Sequence, residues 1–409
     1  MLRRDINSGL FTNIGVALAL VGVPLGMYFN YLFPFVKWSP IFMFFSFLFI
    51  ISSKNLFLGR FPSFNKMFII IFIYQLLMIF YGIFSTKLTT QYLSFHIYIL
   101  SLLVAYSTNE LRYSYKNVIV TTFYISAICS LLGAFFLWSG LVTGEKAWEL
   151  RQDNEEYALE QFTVVVGAIT NFICALCWQV KNIKLKLIVW LFIALDAYII
   201  FRSGKRTPVF VSLIILIIYS YKTGGINNKL LLRYFKIFML LAILAVSFYI
   251  NVDFFQKLVD NFFYNFYNGV LNILGNTDVR DTTGSAIARY NSRKWTYEYI
   301  ENNFSFLNYI FGAGYMTRWI DNPLLQSYLD MGLFGLLFYI LLILIYPIKS
   351  YIKGNSTIVL FAILLCVYNF MASISSGNPY AYIKHIPVVF LAFTVNLERK
   401  NNRKSSVRL

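Results

Sequence analysis

The chain has 409 residues, of which 58% are hydrophobic, 19% aromatic and only 13% charged, and it carries a formal net charge of +17. A composition this apolar excludes a soluble fold of such length, and repeated apolar runs of about 20 residues, long enough to cross a bilayer core, indicate a polytopic helical membrane protein. The positive charge does not indicate nucleic acid, because Lys and Arg sit mostly in short segments between apolar runs, where they report topology.

Arg3 and Arg4 precede the first apolar run, but no small-residue cleavage pattern follows, so this run reads as an uncleaved span. The runs cover residues 9–29, 38–52, 66–85, 92–107, 117–138, 162–180, 185–201, 207–221, 232–250, 323–347, 355–374 and 380–396. The expected fold is therefore an all-α bundle of about twelve transmembrane helices. Residues 1–250 would hold the first nine spans, residues 251–322 a large extracytoplasmic loop with short helices, and residues 323–409 the last three spans with a basic tail.

Basic residues set the orientation. One set of alternate loops holds Lys54, Arg60 and Lys66, then Arg112 and Lys116, then Lys181, Lys184 and Lys186, then Lys222, Lys229 and Arg233, then Lys349 and Lys353. The tail adds Arg399, Lys400, Arg403, Lys404 and Arg408. The positive-inside rule makes these loops and both termini cytoplasmic. On the opposite side, residues 140–161 form an acidic loop with Glu145, Glu149, Asp153, Glu155, Glu156 and Glu160, which reads as a solvated loop or a lid.

Two outward loops break the charge rule. In the tight turn Arg202 Ser203 Gly204 Lys205 Arg206, three cations stand between two helix ends, which an anionic ligand at the outer membrane face would offset. The other is the long loop, with Arg280, Arg289, Arg293 and Arg318 among aromatic residues. Its stretch from Ser285 to Phe304 has no Gly or Pro and predicts a helix, on which Arg289 and Arg293 project from one face. Two guanidiniums so spaced suit phosphate oxygens, although a solvated helix face is the plainer reading of such charges.

The four cysteines, Cys129, Cys174, Cys177 and Cys366, all lie in apolar runs, so neither a disulfide framework nor a metal site is expected, and packing is their role. No Walker or dinucleotide pattern is present, and no cofactor is expected. An outward basic pocket without a nucleotide site points to a lipid-borne diphosphate, whose leaving group cations would stabilise. The base that deprotonates an acceptor hydroxyl would come from Asp278, Asp281, Glu298, Glu301, Asp321 or His385. Asp321 leads because it directly precedes a span and follows Gly312 Ala313 Gly314, a segment able to bring backbone close to a ligand.

From Tyr198 to Gly335, about a third of the chain, the sequence resembles the O-antigen polymerase and O-antigen ligase superfamily of bacterial surface-polysaccharide assembly. The likeness rests on an ordered series. It begins with the Arg202–Thr207 cluster at a span end, followed by a long outer loop with Arg289 ahead of Trp295. Then come Gly312 Ala313 Gly314, Asp321 Asn322 leading into Leu325 Gln326, and Gly332 Leu333 Phe334 Gly335. The resemblance implies a glycosyltransferase in the bacterial inner membrane that transfers an undecaprenyl-diphosphate-linked glycan to a hydroxyl at the outer face. The ligase branch has His before Asn at the head of the late span, where this chain has Asp321 Asn322, and this departure favours a polymerase acting on a second lipid-linked unit.

By that likeness, Asp321, Arg289 and Arg206 would be catalytic. Arg202, Lys205, Arg206, Arg280, Arg289 and Arg293 would hold the diphosphate, and Tyr290, Trp295, Tyr315 and Asn322 would contact sugar. The bilayer is a partner and a chain-length regulator protein a candidate one. A ligase onto lipid A core is the nearest alternative, and a flippase for the same lipid is the rival from another class. Alternating access usually leaves related halves and mid-membrane charges, of which Asp196 is the clearest example here.

Overall fold

The computed structural model describes residues 2–85, 87–109, 115–139, 161–203, 205–224, 247, 249–273, 285–375 and 377–406, and every regular element among them is helical. α1 (Leu2–Leu32) and α2 (Trp38–Ile50) form a hairpin, and the short α3 (Ser53–Phe57) leads to α4 (Lys66–Phe84) and α5 (Thr90–Thr108). α6 (Tyr115–Trp138), α7 (Gln161–Cys177), α8 (Ile183–Arg202) and α9 (Arg206–Gly224) follow. Next come α10 (Asp253–Ile273), α11 (Ser285–Asn303) and the short α12 (Phe306–Phe311). α13 (Pro323–Ile340) continues through a π-helical stretch (Leu341–Ile345) into α14 (Tyr346–Lys353), and α15 (Thr357–Ser375) and α16 (Ile386–Ser406) complete the chain.

Polar residues at the loop ends start these helices. Asn65 Oδ1 accepts from the backbone N–H groups of Met67 and Phe68 at the head of α4, and Thr89, Asn182 and Asn322 cap α5, α8 and α13 in the same way. Pro323 occupies the first turn of α13, where its missing N–H is harmless.

Among the described residues, six segments are long and apolar enough to cross a membrane: Gly9–Leu32, Lys66–Phe84, Asn117–Trp138, Arg206–Gly224, Pro323–Lys353 and Thr357–Ile374. Trp38–Ile50 and Thr163–Cys177 are apolar but shorter. Four of the other expected runs fall short of that for physical reasons. α5 carries a buried His96 hydrogen-bonded to Gln75, α7 ends at Cys177, and α8 contains Lys184, Lys186 and Asp196. The run at 380–396 is split, because α16 begins only at Ile386. Most of the run at 232–250 and the acidic loop at 140–160 lie outside the described residues.

The Gly9–Leu32 and Thr357–Ile374 segments are 78% and 72% buried, so α1 and α15 form the centre, against α6 and α7. Arg206–Gly224 is only 17% buried, which leaves Phe210, Leu213 and Ile217 facing outward. An apolar helix with that exposure requires lipid around it. Asp196 and Ser130 meet inside the bundle, where the Ser130 hydroxyl donates to Asp196 Oδ1 at 2.5 Å, so Asp196 has a local structural partner.

Loop contacts gather at two ends. At one end, Lys87 Nζ donates to Met316 O, Asn378 Nδ2 to Tyr92 Oη, and Gly377 N to Asp321. At the other, Asn55 Nδ2 donates to Thr108 O, Ser63 N to Ser107 O, Asn396 Nδ2 to Ser63 O, and Asn355 N to Glu398. α4, α5 and α16 each run from one group to the other, and Lys54, Lys66 and Lys353 lie beside the second.

α13 is broken. Gly332 has φ 63° and ψ −158°, so the helical hydrogen-bond ladder is interrupted there. The freed carbonyls are taken up by the preceding loop, with Ala313 N donating to Leu329 O at 2.8 Å and Gly314 N to Asp330 O at 3.0 Å. Irregular backbone inside an apolar bundle is tolerated only when protein satisfies it in this way. A Cβ on Gly312 would stand 2.3 Å from the Asp330 carbonyl, and one on Gly332 would stand 2.4 Å from that of Ile310. Gly312 thus makes a close approach to α13 itself. Gly332→Ala combines left-handed backbone, which by itself costs roughly 1–3 kcal/mol, with that clash. We expect its unfolding midpoint in detergent to drop well below that of Leu333→Ala, whose side chain is largely exposed; equal midpoints would contradict the packing described.

Candidate active site

The long loop folds back onto the head of α13. α11 forms where the sequence predicts it, and Arg289 and Arg293 lie one turn apart on it. Arg289 Nε donates to Asp321 Oδ2 at 2.8 Å, with the two side chains 28% and 30% exposed. Arg293 Nε is buried and has no hydrogen-bond acceptor among the described residues. One guanidinium is therefore anchored by protein, and the next turn carries a buried Nε with no acceptor among the described residues.

Asp321 sits in a strained position. Its φ is 58°, and its second oxygen, Oδ1, accepts from Gly377 N at 2.6 Å. Asn322 then caps α13 by accepting from Leu325 N, and Ile320 N donates to Gln326 Oε1. Both carboxylate oxygens of Asp321 are thus engaged, which suits a residue that orients Arg289. Non-glycine backbone at positive φ persists only where its surroundings fix it, as they do here.

Beneath this lies Asp330, fully buried on α13. Its carboxylate accepts from Met316 N and Thr317 N, both at 3.0 Å, from Gln326 Nε2 at 2.7 Å and from Tyr380 Oη at 2.6 Å. Four donors compensate the removal of one carboxylate from water. They also join three segments, the loop before α13, α13 itself and the turn after α15. Met316 has φ 52°, a second strained residue held by the same carboxylate.

The expected site residues distribute unevenly. Arg206, in the first turn of α9, lies directly on α10, since a Cβ built on Gly269 would fall 1.4 Å from its Nη1. α10 in turn packs on α11, the helix that carries Arg289 and Arg293. Arg202 is half-buried at the end of α8 and Lys205 is exposed, while Arg280, Asp278 and Asp281 lie outside the described residues. Tyr290 is half-buried beside Arg289. Trp295 is already engaged, with the Arg318 guanidinium 4.4 Å from its ring centroid and Tyr299 stacked at 4.9 Å.

Tyr315 does not fit its expected role. It is fully buried with its ring centroid 4.1 Å from that of Tyr380, so no face is open to a sugar, and burial pushes its hydroxyl pKa upward. Asn322 uses its side-chain oxygen as a helix cap. Of the candidate bases, Glu298 and Glu301 are exposed on α11, and buried His385 donates from Nε2 to Pro379 O. Among the described residues, no group of His, Cys, Asp and Glu is arranged to hold a metal.

No protein-family model and no curated protein matches the chain. Its chemistry is accordingly read from its own geometry.

Sequence reasoning passed over Asp330, Gly377, Tyr380 and Lys384, and it named Gln326 without a contact. A signal existed for two of them: Asp330 and Lys384 are ionisable residues inside the apolar runs 323–347 and 380–396, and such residues usually have a partner or a role. Among the described residues, Asp196, Asp330, Lys384, His96 and His385 are all buried ionisable side chains within such runs. Asp330→Ala removes the acceptor shared by four donors and should cost roughly 3–5 kcal/mol, whereas Tyr380→Phe, which deletes one donor, should cost about 1 kcal/mol. Denaturation followed by α-helical circular dichroism in one detergent would order the two; a harmless Asp330→Ala would contradict the role given to that carboxylate.

Proposed function

We propose that this chain is a glycosyltransferase that polymerises lipid-linked oligosaccharide repeat units at the outer face of a bacterial inner membrane. In this reading the twelve-span topology holds, both termini are cytoplasmic, and residues 251–322 form the outer loop. The observation that carries it is the pairing of Arg289 with Asp321 at the head of a broken helix, with the buried Nε of Arg293, which has no acceptor among the described residues, one turn away. The order of motifs shared with the polymerase and ligase superfamily supports the same reading.

The chemistry needs no external energy source. A hydroxyl at the non-reducing end of one unit attacks the anomeric carbon of another, and a new glycosidic bond forms as the bond to the diphosphate oxygen breaks. The hydroxyl proton passes to a base, and the lipid diphosphate leaves with the electron pair. Negative charge grows on the departing oxygen, where Arg289, Arg293 and Arg206 would act, and preorganised cations in a partly dehydrated site are effective at that point. Asp321 serves as the counter-charge that fixes Arg289, and the bilayer delivers both substrates by their lipid tails. The side-chain oxygen of Asn322 and the ring of Tyr315 have structural duties, so glycan contacts fall to Tyr290 and to the outer rim of the site.

Reconstitution of the purified chain with a synthetic undecaprenyl-diphosphate oligosaccharide should yield longer glycans without any added protein. Arg289→Ala and Arg293→Ala should each lower the rate by roughly 100-fold or more, in line with loss of one charge-stabilising donor. Unextended substrate with the wild-type chain, or full-length ladders from both variants, would refute the proposal.

A further inference from the structure

Among the described residues Lys384 is the buried cation, with 2% of its surface exposed. It closes the 3-10 turn Tyr382–Lys384 ahead of α16, and its carbonyl accepts from Asn369 Nδ2 on α15. Gly377, with φ 87°, connects it to the site described above. A Cβ on Gly377 would stand 3.6 Å from Lys384 Cε and 3.9 Å from Nζ, and the Gly377 N–H donates to Asp321 Oδ1 at 2.6 Å. Lys384 and Asp321 thus meet on either side of Gly377, and the other Asp321 oxygen holds Arg289. An ammonium buried among apolar helices is tolerated when a counter-charge is near, and Asp321, which sets Arg289, is a carboxylate close to it among the described residues.

We propose that Lys384 is a positioning residue of this site: from the bundle side it fixes Asp321, and Asp321 thereby aims Arg289 at the diphosphate of a lipid-linked substrate. This deepens the polymerase reading and rests on it for the identity of the anion. The linkage between Lys384 and Asp321 is separate, and it can be measured without catalysis. A cavity of about 30 Å³ lined by Lys384, Asn369, Tyr368 and Thr170 leaves room for a larger cation at this position.

Two measurements on the full-length protein test the inference. The first is unfolding in detergent of Asp321→Asn, Lys384→Met and the double variant. Linked residues predict that the double variant is more stable than Asp321→Asn alone, because the single change leaves a buried ammonium without its carboxylate; losses that simply add would overturn the linkage. The second is polymerisation of the synthetic lipid-linked oligosaccharide in proteoliposomes. Lys384→Met should lower kcat by roughly 30-fold or more with KM nearly unchanged, and Lys384→Arg should recover most of that loss.

Arg289→Ala combined with Lys384→Met should be no slower than Arg289→Ala alone, since the two act as one unit. Independent, multiplying losses would overturn the positioning role, and so would Lys384→Met at wild-type rate. If Lys384→Met does not fold, an inactive but stably folded Lys384→Arg would equally count against it. A wild-type chain that extends nothing while the stability coupling is present would refute the polymerase reading and uphold the linkage.

Discussion

The structure depends on a carboxylate that cannot be left unsatisfied. Asp330 is withdrawn from water inside an apolar bundle, and its charge is tolerated because four donors from three separate segments converge on it. The convergence fixes the loop before α13 and the turn after α15 against α13. It also compensates for the break at Gly332, whose freed carbonyls are taken by Ala313 and Gly314. Asp321, Arg289 and Lys384 are assembled on that platform, so the precision of the upper site derives from the buried one beneath it.

The two acidic residues have different duties, set by their surroundings. Asp330 is enclosed and accepts from mostly neutral donors, so it acts as a structural clamp. Asp321 is partly exposed, holds an arginine on one oxygen and a backbone N–H on the other, and sits at a strained φ of 58°. Strain of this sort at a polar surface, held by surrounding hydrogen bonds, is a feature of positions where geometry matters more than stability. Arg293, one turn from Arg289, completes an arrangement that suits an anion with more than one oxygen to offer.

Much of the helical framework was legible in the sequence, because apolar periodicity and polar caps are local. α11 begins at Ser285 as expected, and Asn322 and Pro323 start α13. What was not legible depends on distant partners. Asp330 meets Tyr380 across 50 residues, and Asp321 meets Gly377 across 56, so nothing in local spacing announces either contact. Tyr315 looked like a sugar platform because it stands in a polar loop, but its loop is pinned to α13, which turns the ring inward against Tyr380. The Gly332 break was equally hidden, since a glycine in a long apolar run is usually tolerated inside a continuous helix.

The account turns on which side of the membrane these cations occupy. Single-cysteine variants at exposed positions, in a chain with its four buried native cysteines replaced, would decide it by labelling with a membrane-impermeant maleimide. Lys205→Cys and Asn291→Cys should label in intact spheroplasts, and Lys54→Cys and Lys349→Cys only after the membrane is opened. The reverse pattern would put the Arg289–Asp321 site in the cytosol and contradict the account.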